Sequence, residues 1–109
     1  MRQPKTAQSK RTKLPREFVG TKAFYKDWAK LSASGRYDMR LLKQAVVLLI
    51  ANDEPLAAEW ADHALQGEWM DHRECHISGD FLLIYQILQV GPIEKLNCVR
   101  TGTHSDLFR

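Results

Sequence analysis

"HRECHISGDFLLIYQILQVGPIEKLNCVR" occupies residues 72–100, and its punctuation decides the fold. Two turn signals, "SGD" (78–80) and "QVGP" (89–92), cut the stretch into three pieces. The middle piece, "FLLIYQIL" (81–88), is continuously apolar, as a strand covered on both faces should be. The flanking pieces alternate: "EWMDHRECHI" (68–77) before it and "EKLNCVR" (94–100) after it read as half-buried strands. The pattern predicts an antiparallel meander of three strands.

Upstream, the apolar period lengthens. "TKAFYKDWAKLSAS" (21–34) predicts a helix with Thr21 as N-cap, Ala23, Phe24, Trp28 and Leu31 on one face, and Gly35 as its end. "RYDMRLLKQAVVLLIAND" (36–53) predicts a second helix, with Met39, Leu42, Ala45, Val46, Leu49 and Ile50 as an apolar stripe and Pro55 as its stop. "LPREFVG" (14–20) has the apolar content of a first short strand. The fold class is therefore α+β: an N-terminal strand and a two-helix hairpin packed on one face of a small, largely antiparallel sheet.

The length of 109 residues suits one domain, placed at 14–109. The preceding stretch 1–13 is polar, basic and aperiodic, the composition of a disordered extension. It lacks the apolar core of a secretory signal, and "AVVLLIA" (45–51) is too short to span a bilayer. A cytoplasmic protein with no membrane contact is expected. Cys75 and Cys98 are too few for a disulfide scaffold and read as free thiols. Charge is uneven: residues 1–22 hold seven Lys or Arg against Glu17, and residues 52–80 hold eight acids against Arg73. A solvated surface explains that on charge alone; a polyanion at the basic end and a charged partner at the acidic stretch are the sharper readings.

The polar residues gather in the C-terminal half. On a strand over 69–77, His72, Glu74 and His76 share one face, and Trp69, Asp71, Arg73 and Cys75 share the other. A short hairpin brings Asp80 and Phe81 close to His76. Arg100 immediately precedes a Thr-Gly-Thr turn that presents His104, with Phe108 one helical turn further on. His63 lies in the loop before the first hairpin. Histidine gives or takes a proton near neutral pH, arginine stabilises phosphate charge, and an aromatic ring stacks on a base. These are the parts needed to cleave RNA. Structural roles compete for each: an N-cap for His104, turn hydrogen bonds for His76 and Asp80, exposure for His63, a core plug for Phe108. Trp28, Trp60 and Trp69 read as core or partner contacts, not as stacking platforms. Zinc at His72, His76, Cys75 and Cys98 is disfavoured, because Cys75 and His76 point to opposite strand faces and no C-x-x-C pair exists. No metal or cofactor is expected.

The ordered elements "DHALQGEW…HRECHISGDFLLIYQI…VRTGTHSDLF" resemble the YafQ-type toxins of the RelE/ParE superfamily, closely over residues 60–108 and loosely over the helices. That resemblance implies a type II toxin–antitoxin toxin: a metal-independent endoribonuclease (mRNA interferase) acting on mRNA at the ribosome. It also implies a cognate antitoxin, with operator DNA reached only through it. The same motifs imply catalytic roles for His104, His76, Asp80 and His63, and RNA or phosphate contact for Arg100, Arg73, Phe81 and Phe108, with a structural ion pair the equal alternative for Arg73 on the other strand face. Two positions depart from the pattern: Phe81 stands where tryptophan is usual, and His72 where an aromatic such as tyrosine is usual. The alternatives are a ParE-like toxin that binds DNA gyrase without cutting RNA, and an inactive relic that only binds antitoxin.

Overall fold

The computed structural model describes residues 14–53 and 56–108. The basic stretch 1–13 and Pro55, the expected stop of the second helix, lie outside the described residues. The elements in chain order are β1 (Glu17–Gly20), α1 (Lys22–Ser34), α2 (Met39–Ala51), β2 (His63–Ala64), β3 (Arg73–Ser78), β4 (Phe81–Val90), β5 (Ile93–Thr103) and α3 (His104–Leu107). The strands form one sheet in the order β1-β5-β4-β3-β2. β1 runs parallel to β5, and every other pairing is antiparallel.

Local chemistry sets the helix ends. The Thr21 hydroxyl accepts the Phe24 N–H at 3.0 Å, and Gly35 closes α1 in the left-handed conformation at φ 70°. α2 begins at Met39 instead of residue 36 because Asp38 takes the capping position, accepting the Arg40 N–H at 3.0 Å. It ends at Ala51, where the Asn52 side-chain amide donates to the Leu48 carbonyl at 2.8 Å. Arg16 ties the chain start to this end: its guanidinium reaches the Leu49 carbonyl at 2.6 Å and Glu94 of β5 at 2.8 Å.

Both helices cover one face of the sheet. Phe24 and Leu31 of α1 and Leu42, Ala45 and Leu49 of α2 pack with Cys75, Ile77, Leu83, Tyr85, Leu96 and Cys98. Ala23, expected on the buried face of α1, is exposed, since the inward arc runs through Phe24, Trp28 and Leu31. Cys75 and Cys98 are free and buried; burial pushes the Cys98 thiol up to about 12 and Cys75 further still. The opposite face carries a smaller core of Leu82, Ile84 and Leu107, with Leu65, Trp69 and Val99 against it. That second cover explains why "FLLIY" (81–85) is apolar on both faces.

Three boundaries differ from the sequence expectation. Residues 68–72 are not strand: Gly67–Trp69 form a 3-10 turn and Asp71 sits at φ 72°. Trp69, Asp71 and His72 therefore leave the strand alternation, which starts at Arg73. The Thr-Gly-Thr segment is not a turn but the end of β5, paired with β4 up to Thr103↔Phe81. His104 then opens α3, with Thr103 as its N-cap. Finally, β2 is a two-residue strand that no periodicity announces.

Candidate active site

Glu74 is the centre of the site. It lies on β3, faces away from the two long helices opposite Ile84, and is 3% exposed. Its Oε2 is 3.3 Å from His63 Nε2 and 3.3 Å from His76 Nε2, and its Oε1 is 3.8 Å from His104 Nε2. One buried carboxylate thus joins three imidazoles from three elements. The sequence placed Glu74 on the His76 face but gave it no role. The missing signal was β2, whose register sets His63 directly opposite Glu74.

Strand alternation at β2 does two jobs. His63 points to the site, while Asp62 beside it points into the main core. The Asp62 carboxylate is fully buried and accepts the Tyr85 hydroxyl at 2.7 Å, Arg73 Nε at 3.1 Å and the Leu56 N–H at 3.0 Å. Burial raises the Tyr85 phenol well above its ordinary range, so it remains a donor. This network anchors the loop that delivers His63. His63 Nδ1 lies 2.7 Å from the Ala61 carbonyl, which can only accept; Nδ1 therefore carries a proton and Nε2 is aimed at Glu74.

Asp80 orients His104. Gly79, at φ 50°, turns the β3–β4 hairpin so that Asp80 Oδ1 sits 2.6 Å from His104 Nδ1 and accepts the His104 backbone N–H at 3.3 Å. The hydrogen bond from the His104 side chain holds the Asp80 carboxyl below its ordinary range. With Nδ1–H committed to Asp80, His104 presents Nε2 to the cluster. The order Asp80–His104–Glu74–His63/His76 is a continuous alternation of carboxylate and imidazole.

The other expected site residues are placed differently. Phe108 is 37% exposed, with its ring 5.6 Å from His104 and 5.8 Å from Trp69. Phe81 is 2% exposed and packs edge-on against Tyr37 in the helix-side core, so it does not reach the histidines. Its ring follows the β4 alternation, opposite to that of Leu82. Arg73 also points to the helix side, where Asp62 and Tyr85 engage it. Arg100 lies in the same cross-strand row as Glu74, two strands away through Ile84, roughly 10 Å by sheet spacing. Its Nε and Nη2 bind the two Asp27 oxygens at 2.6 and 3.0 Å, and that pairing raises its pKa. Asp27 also accepts the Thr101 N–H at 3.1 Å, closing the part of the β5 edge that β1 leaves uncovered.

Chemically, the cluster can take a proton at one imidazole and give one from another. It also has a metal-compatible donor set. The ligand atoms of Glu74, His76 and His104 all lie within 4.8 Å of one another, with the two imidazole nitrogens 3.3 and 3.8 Å from the carboxylate. Cys75, buried on the far face, cannot join that set.

The chain is similar to known proteins in sequence and in overall fold. The mRNA interferase toxin YafQ of Escherichia coli is 40% identical over 84 residues, covering 77% of this chain and 87% of that protein. YafQ in the Escherichia coli DinJ–YafQ complex superposes with a TM-score of 0.71 at 38% identity, covering 86% of this chain and 99% of that one. A metal-bound toxin from Helicobacter pylori superposes with a TM-score of 0.73 at 41% identity, over 85% and 99% of the two chains. Residues 16–109 match the family described as the bacterial toxin of type II toxin–antitoxin systems, YafQ. The chain belongs to the YafQ family of type II toxin–antitoxin toxins.

Proposed function

We propose that this toxin is an endoribonuclease that cuts mRNA on the translating ribosome and is neutralised by a cognate antitoxin. The observation that carries the reading is the buried Glu74 carboxylate joining His63, His76 and His104. A protein that only bound gyrase or antitoxin would have no use for such proton-transfer groups half-open to solvent. The YafQ–DinJ complex supports an antitoxin partner, and the relatives named mRNA interferase toxin support the reaction class.

Cleavage runs as follows. His76 or His63 Nε2 takes the 2′-OH proton, and Glu74 holds the resulting imidazolium. O2′ attacks the adjacent phosphorus, and the P–O5′ bond breaks. His104, protonated and steadied at Nδ1 by Asp80, gives its Nε2 proton to O5′. The products are a 2′,3′-cyclic phosphate and a 5′-OH. Phe108, against His104, contacts a neighbouring base. Arg100 contacts the strand backbone outside the cluster, since Asp27 holds its fork; Arg73 and Phe81 act through the fold. These side chains supply both proton transfers themselves, and an ion on Glu74, His76 and His104 would occupy nitrogens the transfers need.

The test is induction of the wild type and His104→Ala in bacteria lacking the antitoxin, with new 5′ ends mapped on translated and untranslated transcripts. The reading expects growth arrest and 5′-OH ends on translated mRNA for wild type alone. Arrest by both proteins without new ends, or with double-strand DNA breaks, would overturn it.

A further inference from the structure

Next to the histidines lies an open cleft of about 470 Å³, lined by Glu68, Trp69, His72, Leu107 and Phe108. This is within the size that holds small ligands, roughly 300–1,000 Å³. Its walls are aromatic. Trp69 meets His72 at 5.2 Å and 90°, and Phe108 at 5.8 Å and 69°. Phe108 continues to His104 at 5.6 Å, and His104 to His76 at 5.7 Å. An unbroken row of rings therefore leads from the proton-transfer cluster into the cleft. The Trp69 and Phe108 rings, inclined at 69°, make a corner, where one ring offers a face for stacking and the other an edge.

The cleft is built by the segment that departs from strand geometry. The 3-10 turn at Gly67–Trp69, stabilised by the Met70 N–H to the Gly67 carbonyl at 3.0 Å, and Asp71 at φ 72° take Trp69 out of the strand alternation, with its ring against Phe108 at the end of α3 and against His72. Leu107 underneath is buried and forms the floor. Glu68 is exposed at the rim and brings acceptors only.

We infer that this cleft is a nucleobase subsite, taking the base beside the scissile phosphate, with Trp69 as stacking platform and Glu68 selecting a base with an exocyclic amine. The assignment rests on the nuclease reading for its substrate. Stacking on an aromatic face accepts any base. A carboxylate at the rim accepts from the amine of cytosine, adenine or guanine, and uracil has none. His72, edge-on to Trp69, fixes the indole and is a positioning residue. None of the cleft residues is needed for the proton transfers, so substrate choice and chemistry are carried by separate side chains.

The test uses the full chain in two measurements. In the first, cytidine 5′-monophosphate and uridine 5′-monophosphate are titrated against ¹⁵N-labelled protein, with the Trp69 indole N–H assigned through Trp69→Phe. The inference expects a saturable shift, with cytidine favoured about three- to tenfold and that preference lost in Glu68→Ala. In the second, cuts on translated mRNA are mapped for wild type, Trp69→Ala and Trp69→Phe, each checked for folding by thermal melt. Trp69→Ala should lower cleavage roughly ten- to a hundredfold, and Trp69→Phe should restore most of it. An indole blind to both nucleotides overturns the subsite, as does a folded Trp69→Ala that cuts the same positions at the wild-type rate. Nucleotide binding at Trp69 by a wild type that makes no cuts keeps the subsite and removes the nuclease reading instead.

Discussion

Replacing Glu74 by glutamine keeps the shape of the side chain and removes the charge that three imidazoles share. Two contacts, to His63 and His76, lie at 3.3 Å, and the third, to His104, at 3.8 Å. A charge-assisted hydrogen bond contributes about 1.5–3 kcal/mol when desolvated. The carboxylate is desolvated here, but the imidazoles are 51%, 33% and 47% exposed at the side chain, so each short contact is screened. Taking about half that figure for each of the two short contacts gives roughly 1.5–3 kcal/mol in all. At 1.36 kcal/mol per decade that is a loss of about twelve- to a hundred-and-sixty-fold in cleavage rate. The assay is single-turnover cleavage of a ribosome-bound mRNA, with the fold checked by thermal melt. A folded Glu74→Gln protein cutting within threefold of wild type would refute the claim that this carboxylate organises the site.

Other side chains separate fold from chemistry. Phe81→Ala empties a core position and should cost about 3–5 kcal/mol in urea unfolding, whereas Phe108→Ala, at the open rim, should cost less than about 1 kcal/mol yet reduce cleavage. The reverse pattern would move base contact back to Phe81. Asp62→Asn breaks the buried network with Tyr85 and Arg73, at roughly 3–5 kcal/mol, and should lower Tm by more than about 10 °C. An unchanged Tm would mean that the loop carrying His63 is anchored elsewhere. Asp80 is held below its ordinary value of 3.8, so its contribution to stability is present above that pH and lost as pH falls through the lowered value. Thermal melts of wild type and Asp80→Asn should differ at neutral pH and converge in acid below 3.8; a constant difference across pH would contradict the Asp80–His104 pairing.

The sheet was legible because turn chemistry and period coincide over residues 72–100. Thr21 and Gly35 marked the ends of the first helix for the same reason: capping is local. What escaped was non-local. β2 has two residues, too short for any period, and only its pairing with β3 shows that His63 faces Glu74. The strand pattern ran too far back, through Trp69 to His72, because alternation does not reveal that Asp71 adopts a left-handed backbone. Phe81 and Arg100 were legible as residue types but not as contacts. Which face of β4 meets the helices, and that Asp27 of α1 holds the Arg100 fork, depends on how distant elements pack. Glu74 shows the same limit from the other side. A lone glutamate in an alternating strand looks solvent-facing until β2 and α3 close over it.

The defining step of the proposed reaction is proton donation from His104 to the leaving 5′ oxygen. It is tested most directly with an mRNA whose scissile 5′ oxygen is replaced by sulfur, a leaving group that needs no proton. Cleavage of this substrate on ribosomes should be nearly as fast with His104→Ala as with wild type, while Glu74→Gln stays impaired because the 2′-OH must still lose its proton. If His104→Ala is as defective on the sulfur substrate as on the natural one, His104 is not the general acid and the assignment of this site is wrong.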